Sequence, residues 1–209
     1  MAYSLDRRVW PGALILAGIT VLTAALQPWL TGLAALLLAS HFLFFRDPKP
    51  RIPAGEAPVS PAEGKITEIS YQTENRYLKE ECVKIGIALS VFNAHVNRTP
   101  MQGTVDYLEY TPGKFMNALK QSSVSCNESN WIGLENGPKR TLVRQMAGAL
   151  ARRIFCDARI GTMLGRGEKF GVICYGSRVE LFIPKKIFRP SVHIGDPVKA
   201  GQTILGEWL

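Results

Sequence analysis

The chain has 209 residues, enough for one domain and a small additional segment, and its 25 lysines and arginines against 17 acidic residues give a formal charge of +8. Hydrophobic residues make up 46% of the chain and charged residues only 20%, a balance that excludes a wholly disordered protein. The four cysteines contain no CxxC pair, which argues against a zinc ribbon or a dithiol redox site and favours reduced thiols. The positive charge predicts an anionic partner, either nucleic acid or a membrane surface.

The first part of the chain is apolar, because residues 9–45 contain no Asp, Glu, Lys or Arg. One bilayer-spanning helix needs about 20 residues, so the run is long enough for two shorter helices. It is interrupted at Pro11-Gly12 and again at Gln27-Pro28, and the second interruption leaves the segments Ala13–Leu26 and Trp29–Phe45. This pattern predicts a helical hairpin.

Basic residues flank the apolar run on both sides. They are Arg7 and Arg8 before the run and Arg46, Lys49 and Arg51 after it. Because basic residues concentrate on the cytoplasmic side of membrane segments, both ends of the run belong on that side, as they do in a hairpin. We therefore expect residues 1–51 to form a membrane hairpin with its connector, which anchors the protein at the cytoplasmic face of the cell membrane.

Two alternatives to a membrane hairpin exist for this segment. A cleaved signal peptide would share the basic start at Arg7 and Arg8 and the small residues Thr23-Ala24-Ala25, but a second apolar stretch follows directly. A buried helical pair in a soluble fold is the other alternative. It is disfavoured because neither segment has a polar face.

Residues 52–209 are predicted to form a mainly β domain of the β-rich α+β class, with one or two helices. Two segments flank Gly176-Ser177 and are either two strands at a tight turn or one bulged strand. Residues 141–155 fit either a helix or a strand followed by a short helix. Five segments show the alternation or the short apolar run of a strand: Lys65–Tyr71, Val83–Leu89, Gly103–Tyr110, Gly171–Tyr175 and Val179–Ile183.

Two segments at opposite ends of this domain predict how it closes. Pro61–Ile66 and Gly195–Gln202 resemble the paired half-motifs of biotinyl and lipoyl carrier domains, and their glycines permit sharp hairpins. Such halves pack on one another, so we expect a barrel-sandwich-like fold in which the two segments meet. A carrier function is disfavoured, because no Lys stands at the exposed turn where a prosthetic group would be attached.

The most informative segment is Phe170–Pro184, in which Gly176-Ser177 lies between two apolar strands. A Gly-Ser pair by itself is typical of an ordinary turn. This segment, however, resembles the self-cleavage site of the phosphatidylserine decarboxylase proenzymes of the short-chain, pyruvoyl-dependent form, which carry Phe-Gly-x-Ile-x-x-Gly-Ser-Arg-Val there. The resemblance covers nearly the whole chain and includes, in order, Phe45–Pro48, Phe92–Pro100, Pro112–Phe115, Asn127–Asn130, Gln145–Gly148 and Ala151–Ile154.

The resemblance implies that Ser177 is the source of a covalent pyruvoyl group and that no metal is needed. The Ser177 hydroxyl would attack the Gly176 carbonyl and form an ester. β-Elimination would then cut the chain and leave dehydroalanine, whose hydrolysis releases ammonia and leaves the pyruvoyl group. The implied products are a β chain, residues 1–176, and an α chain, residues 177–209, which associate with each other.

A serine needs a base before it can act as a nucleophile. His95 is the candidate base, because it alone of the three histidines falls in a matching motif. Its expected roles are proton acceptor in processing and proton donor or carboxylate handler in decarboxylation. The resemblance implies a carboxylate that orients this histidine, as in a Ser-His-Asp arrangement. Family members usually have Asp there, whereas this chain has Glu63, which is longer by one methylene.

The head group of the implied substrate carries a phosphate and a carboxylate. Lys114 is one candidate to bind these anions, with Arg98 and Arg178 as alternatives, and Phe115 is a candidate pocket residue. Arg98 stands where longer-chain members of the family have a second histidine. Each of these cations could also be an ordinary surface residue of a basic protein.

The sequence therefore predicts a carboxy-lyase that converts phosphatidylserine to phosphatidylethanolamine and CO₂ through a Schiff base to the pyruvoyl group. Its expected partners are phosphatidylserine in the membrane and an anionic lipid surface, and a homo-oligomer is left open. An ether lipid with a serine head group, archaetidylserine, would serve equally well. An unprocessed, membrane-tethered barrel that binds lipid without catalysis is the alternative from another class. No nucleic-acid partner is expected, because no recognised motif accompanies the charge.

Overall fold

The structure, a computed structural model, describes residues 3–113, 127–148, 153–174 and 177–209, and it describes Tyr3 and Ser177 by their backbone alone. The chain divides into two compact units, Met1–Lys49 and Pro50–Leu209. The helices are α1 (Val9–Ala24) and α2 (Pro28–Phe44). The strands are β1 (Tyr3–Leu5), β2 (Arg46–Pro48), β3 (Gly64–Glu74), β4 (Glu80–Leu89), β5 (Val96–Arg98), β6 (Gly103–Thr111), β7 (Ser129–Asn136), β8 (Lys139–Ala147), β9 (Arg153–Cys156), β10 (Met163–Leu164), β11 (Lys169–Cys174), β12 (Ser177–Pro184), β13 (Phe188–Pro190), β14 (Pro197–Val198) and β15 (Gly206–Trp208).

The first unit is an antiparallel pair of helices closed by the short β1–β2 ladder. The break between the helices comes at the predicted Gln27-Pro28, and Pro28 occupies the first turn of α2, where a missing N–H costs nothing. Pro11 does not interrupt α1, because it lies in the first turn of that helix. The His41 ring lies 2.9 Å from the Val9 carbonyl and places the end of α2 beside the start of α1.

Both helices expose large apolar side chains over most of their surface. Their buried residues are Val9 and Ala13 in α1 and Ala34 and Phe44 in α2. None of the helices in the described residues combines the length and the hydropathy that a membrane crossing requires. The predicted helical pair is confirmed, and its placement in a membrane stays a prediction. The exposed apolar side chains include Trp10, Leu14, Ile15, Val21, Leu22, Leu26, Trp29, Leu33, Leu36 and Leu37.

The second unit is mainly β, as predicted. An antiparallel eight-stranded sheet has the order β10-β6-β7-β8-β12-β4-β3-β14, and a three-stranded sheet has the order β5-β11-β9. The main hydrophobic core contains residues of both sheets, among them Ile87, Val143, Phe170, Ile173 and Leu181. The site described below lies where the chain passes from one of these sheets to the other.

Strand β12 lies inside the eight-stranded sheet. It pairs with β4 over its whole length and with β8 from Ser177 to Phe182. Its side chains alternate, so that Val179 and Leu181 belong to the main core and Phe182 packs in a smaller cluster with Trp131. Hydrogen bonds on both sides and apolar contacts on both faces fix the register of this strand.

The two half-motif segments meet as predicted. β14 pairs with the start of β3, and the Ile66 N–H donates to the Asp196 carbonyl at 3.0 Å. Gly195 and Gly201 have φ values of 103° and 70°, which side-chain-bearing residues rarely adopt. The glycines from which sharp hairpins were predicted therefore adopt backbone conformations that favour glycine.

The helical alternative for residues 141–155 is wrong. Its described parts are the strands β8 and β9, and residues 149–152 lie outside the described part of the chain. β8 forms ladders with β7 on one side and β12 on the other. This double pairing outweighs the helix propensity of the local sequence.

Candidate active site

The predicted cleavage position lies between strands of two different sheets. β11 ends at Cys174 in the three-stranded sheet, and β12 begins at Ser177 in the eight-stranded sheet. The sequence left open two strands or one bulged strand, and the structure shows two strands, which belong to different sheets. Gly176 lies outside the described residues. The backbone register places Ser177 opposite Leu89 of β4 and Ala147 of β8.

His95 lies beside the strand that leads into this position. Its side chain is buried, with 1% of its surface exposed, and its carbonyl accepts the Ile173 N–H at 3.1 Å. Since Ile173 belongs to β11 and Ser177 follows four residues later, the backbone of His95 is tied to the approach to the cleavage position. The predicted base is therefore hydrogen-bonded to the strand that precedes the predicted nucleophile in the chain.

The hydrogen bond of the His95 ring determines which nitrogen is available as a base. Nδ1 lies 2.9 Å from the Asn93 carbonyl oxygen. A carbonyl oxygen can only accept, so Nδ1 carries the hydrogen in this bond. In the neutral ring Nε2 then keeps its lone pair. This tautomer is the one that can take a proton through Nε2.

Glu63 is linked to His95 through Asn93. The Asn93 side-chain amide donates to Glu63 Oε1 at 3.2 Å, while the Asn93 backbone carbonyl accepts from the His95 ring. The Asn93 side-chain oxygen also accepts from the Ser90 N–H at 2.8 Å and closes a tight turn. Glu63 thus supports the loop that holds the histidine, and Asn93 is the residue between them.

A chain of buried amides lies next to the histidine. The Asn130 amide donates to Gln145 Oε1 at 2.9 Å, and the Gln145 amide donates to Asn97 Oδ1 at 2.8 Å. Asn97 follows His95 by two residues, is fully buried, and its Nδ2 has no hydrogen-bond partner in the described residues. Gly171 makes room for this chain, because a Cβ there would lie 3.0 Å from Gln145 Nε2.

The two arginines considered for substrate binding both have partners inside the protein. Arg98 is buried, and its guanidinium donates to the Gly167 carbonyl at 3.1 Å. Arg178 is buried and forms ion pairs with Glu68 and Glu180. Their role in substrate binding stays a prediction.

Comparison with known proteins identifies the family. The sequence model of the phosphatidylserine decarboxylase family matches residues 38–206. The chain is 40% identical over 190 residues to the phosphatidylserine decarboxylase proenzyme of Carboxydothermus hydrogenoformans, covering 90% of this chain and 89% of the relative. It is 41% identical over 196 residues to the proenzyme of the same name from Geotalea uraniireducens, covering 91% of both chains. The chain belongs to the phosphatidylserine decarboxylase family.

A third member of the family, the phosphatidylserine decarboxylase proenzyme of Cupriavidus metallidurans, is 39% identical over 212 residues, which cover 96% of this chain and 94% of the relative. The matched residues 38–206 include Glu63, His95 and Ser177. The predicted site therefore lies within the part of the chain that defines the family.

The structure brings some of the predicted residues of this phosphatidylserine decarboxylase family member together. Glu63 and His95 share Asn93, and the backbone of His95 is bonded to β11 close to Ser177. Lys114 and Phe115, predicted to bind the head group, lie outside the described residues. Their placement, like the roles of the other site residues, stays a prediction.

Three residues of the site were not predicted from the sequence: Asn93, Asn97 and Gln145. All three lie inside segments that were singled out for their resemblance, but nothing in the spacing of those segments joins them. Gln145 and Asn97 are 48 residues apart and meet only because β8 and β5 belong to facing sheets. A signal for them would have required knowing how the two sheets pack on each other, which a single sequence does not give.

Proposed function

We propose that this chain is a self-processing decarboxylase that converts phosphatidylserine to phosphatidylethanolamine and CO₂. The curated relatives that carry this activity in their names match about nine tenths of the chain at about 40% identity. The observation that carries the proposal is the buried His95, whose Nδ1–H is fixed by Asn93 and whose backbone is bonded to the strand that leads to Ser177. This arrangement suits a serine that must be activated within the fold.

Self-cleavage at Gly176-Ser177 is the first proposed step. His95 Nε2 takes the proton of the Ser177 hydroxyl, and the hydroxyl oxygen attacks the Gly176 carbonyl carbon. The carbon–nitrogen bond of the peptide breaks, the nitrogen receives a proton, and an ester joins the two residues. Elimination of this ester separates residues 1–176 from residues 177–209.

The pyruvoyl group that forms from Ser177 would supply the electron sink for the carbanion left when CO₂ departs. The surrounding residues fit a group that carries carbonyl oxygens. A buried amide donor without an acceptor is unusual in a folded protein, and within the described part of the chain Asn97 Nδ2 is such a donor, two residues from His95. Asn97 would hold an oxygen at this site, and His95 would return a proton to the substrate.

The two chains would remain one folded domain after cleavage. β12 is the first strand of the α chain, and it is hydrogen-bonded to β4 and β8 of the β chain on its two sides. β14 of the α chain pairs with β3 of the β chain. Separation would require these ladders and the shared core to open together, so we expect the processed chains to copurify.

We propose that α1 and α2 place the protein in the cytoplasmic face of the cell membrane. The support is the band of exposed leucine, isoleucine, valine and tryptophan side chains on both helices. Because the proposed substrate is a bilayer lipid, such a surface would hold the protein where its substrate lies. Lys114 and Phe115 are proposed to bind the head group beside the cleaved end.

A vesicle assay tests the proposed activity. Purified protein is mixed with vesicles that contain phosphatidylserine labelled in its carboxyl group, and released CO₂ is counted. We expect release by the processed protein and none by Ser177→Ala, which cannot form the electron sink. Lipid binding by a folded, uncut protein that releases no CO₂ would support the lipid-binding alternative instead.

A further inference from the structure

Five charged side chains form a cluster in which Arg178 and Glu180 of β12 meet residues of its two neighbours, β4 and β8, and of the next strand, β3. Lys84 of β4 lies 2.9 Å from Glu180 and 3.3 Å from Glu68 of β3. Arg178 contacts Glu68 through Nη2 and lies 3.1 Å from Glu180 through Nε. Arg144 of β8 lies 3.4 Å from the second oxygen of Glu180. We call these five residues the ion cluster.

The ion cluster is largely shielded from water. The side chain of Glu180 is 1% exposed, and Glu68 is the most exposed member at 23%. Burial by itself would raise the pKa of Glu68, but the Ser70 hydrogen bond together with Lys84 and Arg178 holds it below its ordinary value. Removing one member of such a group leaves a buried charge without its partner, which is strongly destabilising locally.

The fold provides space for the Arg178 guanidinium. A Cβ at Gly86 would lie 2.5 Å from Arg178 Nη2 and 3.2 Å from Glu68 Cβ. β3 has a register shift between Ile66 and Glu68, directly at the acidic member of the pair. Because Gly86 of β4 has no side chain, the ion pair between Arg178 and Glu68 fits beside this strand.

The ion cluster joins the two chains that the proposed cleavage would create. Arg178 and Glu180 would belong to the α chain, and Glu68, Lys84 and Arg144 to the β chain. Arg178 directly follows the residue that becomes the new chain end. Because processing releases the Ser177 nitrogen as ammonia, the new end has no ammonium group, and Arg178 carries the first charge of the α chain.

We propose that Arg178 is a positioning residue, and that the ion cluster holds the first residues of the α chain in register after self-cleavage. This inference rests on the proposed function. Before cleavage the peptide bond to Gly176 restrains Ser177. After cleavage Ser177 is the end of a strand, and strand ends open locally at low free-energy cost. Arg178 is the charged anchor nearest to that end.

The test compares Arg178→Gln in two backgrounds. One is the processed protein, and the other is the uncut Ser177→Ala chain. Hydrogen exchange of the 178–183 amides is followed by mass spectrometry. We expect Arg178→Gln to accelerate exchange about tenfold more in the processed protein than in the uncut chain, since only the former has a free strand end.

The kinetics of the processed protein give a second readout. The kcat of Arg178→Gln should fall while its KM stays within about twofold, and Arg178→Lys should restore part of kcat.

Arg140→Gln is the matched control. It removes another arginine–glutamate ion pair, the more exposed Arg140–Glu80, from the same sheet at a distance from the cleavage position. Its effect on exchange should be the same in both backgrounds. An equal effect of Arg178→Gln in both backgrounds would show that the ion cluster merely stabilises the sheet, and it would overturn the inference.

Two further variants test the inference if Arg178→Gln does not fold or is not cut. Glu68→Gln removes the β-chain partner, and Gly86→Ala displaces the guanidinium while keeping all five charges; each should reproduce the difference between backgrounds. If both stay uncut, the ion cluster acts before cleavage and the inference is wrong. If the unmodified protein itself remains a single chain, the proposed function fails, which is a separate and distinguishable result.

Discussion

His95 is the residue on which the proposed self-processing depends most directly. Its Nδ1 is hydrogen-bonded to the Asn93 carbonyl, so the proposed role of base falls to Nε2. We predict that His95→Ala lowers the rate of self-cleavage by about 10²–10⁴-fold, the range for loss of a general base. The measurement is the ratio of cut to uncut chain over time on a denaturing gel.

His193→Ala is the control for this prediction, because the His193 side chain is 87% exposed and lies near the terminal hairpin. It should be cut at the rate of the unmodified protein. Normal cutting of a folded His95→Ala protein would exclude His95 as the base.

Asn93 connects Glu63 to the histidine, so its loss should affect cleavage without removing a reacting group. Asn93→Ala removes the amide that donates to Glu63 and the oxygen that closes the turn at Ser90. We predict cleavage slowed by roughly tenfold, since a mispositioned base loses much of its effect. Glu63→Gln, which keeps an oxygen acceptor for Asn93, should be the milder change. An unchanged cleavage rate in Asn93→Ala would show that the contact between Asn93 and Glu63 is not needed for processing.

At the scale of elements, the contact of β11 with β9 depends on a glycine. A Cβ at Gly171 would lie 2.3 Å from the Phe155 carbonyl oxygen. We predict that Gly171→Ala lowers the free energy of unfolding by about 1–3 kcal/mol, measured by urea denaturation of the uncut Ser177→Ala chain. Gly165→Ala is the control, because the added Cβ would meet only Glu168 Oε2, at 3.4 Å. Equal stability of the two variants would contradict the packing described for β11.

Glu68, through its hydrogen bond with Ser70 and its partners Lys84 and Arg178, gives the folded protein a specific dependence on pH. The pKa of Glu68 is lowered from an ordinary value of 4.5. As the pH falls, Glu68 is therefore protonated at a higher pH in the unfolded chain than in the folded chain. The stabilisation that ionised Glu68 contributes is present above pH 4.5, and it is lost as the pH falls through the pKa of Glu68 in the folded chain. Glu68→Gln should flatten this part of the stability curve in the uncut chain. A curve of unchanged slope would show that Glu68 is not the group concerned.

The strands were predicted from a local signal, and the pairing of the two half-motifs was predicted from their resemblance to the paired halves of carrier domains. Alternating apolar residues mark β3 and β12, and glycines mark the hairpin that β14 closes. The neighbours of each strand could not be predicted in the same way. Arg178 and Glu68 are 110 residues apart, and their ion pair could not be predicted from the sequence, because it depends on the order of the strands in the sheet.

The prediction of candidate site residues depended on the resemblance to a known family more than on physical pattern. Glu63 and His95 stand in recognisable motifs, yet their link through Asn93 involves a backbone carbonyl and so has no sequence signature. The amide chain ending at Asn97 requires two facing sheets. Neither the packing of one sheet on another nor the geometry of this turn could be predicted from a single sequence.

At the scale of the whole molecule, the exposed apolar helices should control attachment to lipid. We predict that Leu22→Arg with Leu36→Arg lowers binding to anionic vesicles by about tenfold, because charge on an inserted face opposes burial. Both side chains are more than 60% exposed. Binding is measured by vesicle flotation.

A matched control adds the same charge to the second unit. Ile160→Arg together with Ile194→Arg also replaces two exposed apolar side chains. These changes should leave flotation unchanged. Equal loss of binding in both double variants would place the membrane contact elsewhere than on α1 and α2.

Self-cleavage can be tested on the purified, membrane-extracted protein by its intact mass under denaturing conditions. We expect two chains, residues 1–176 and residues 177–209, with the smaller chain blocked at its first residue by a pyruvoyl group. A single chain of 23.1 kDa in both fresh and aged samples would contradict it. That result would leave the fold without the electron sink that decarboxylation requires.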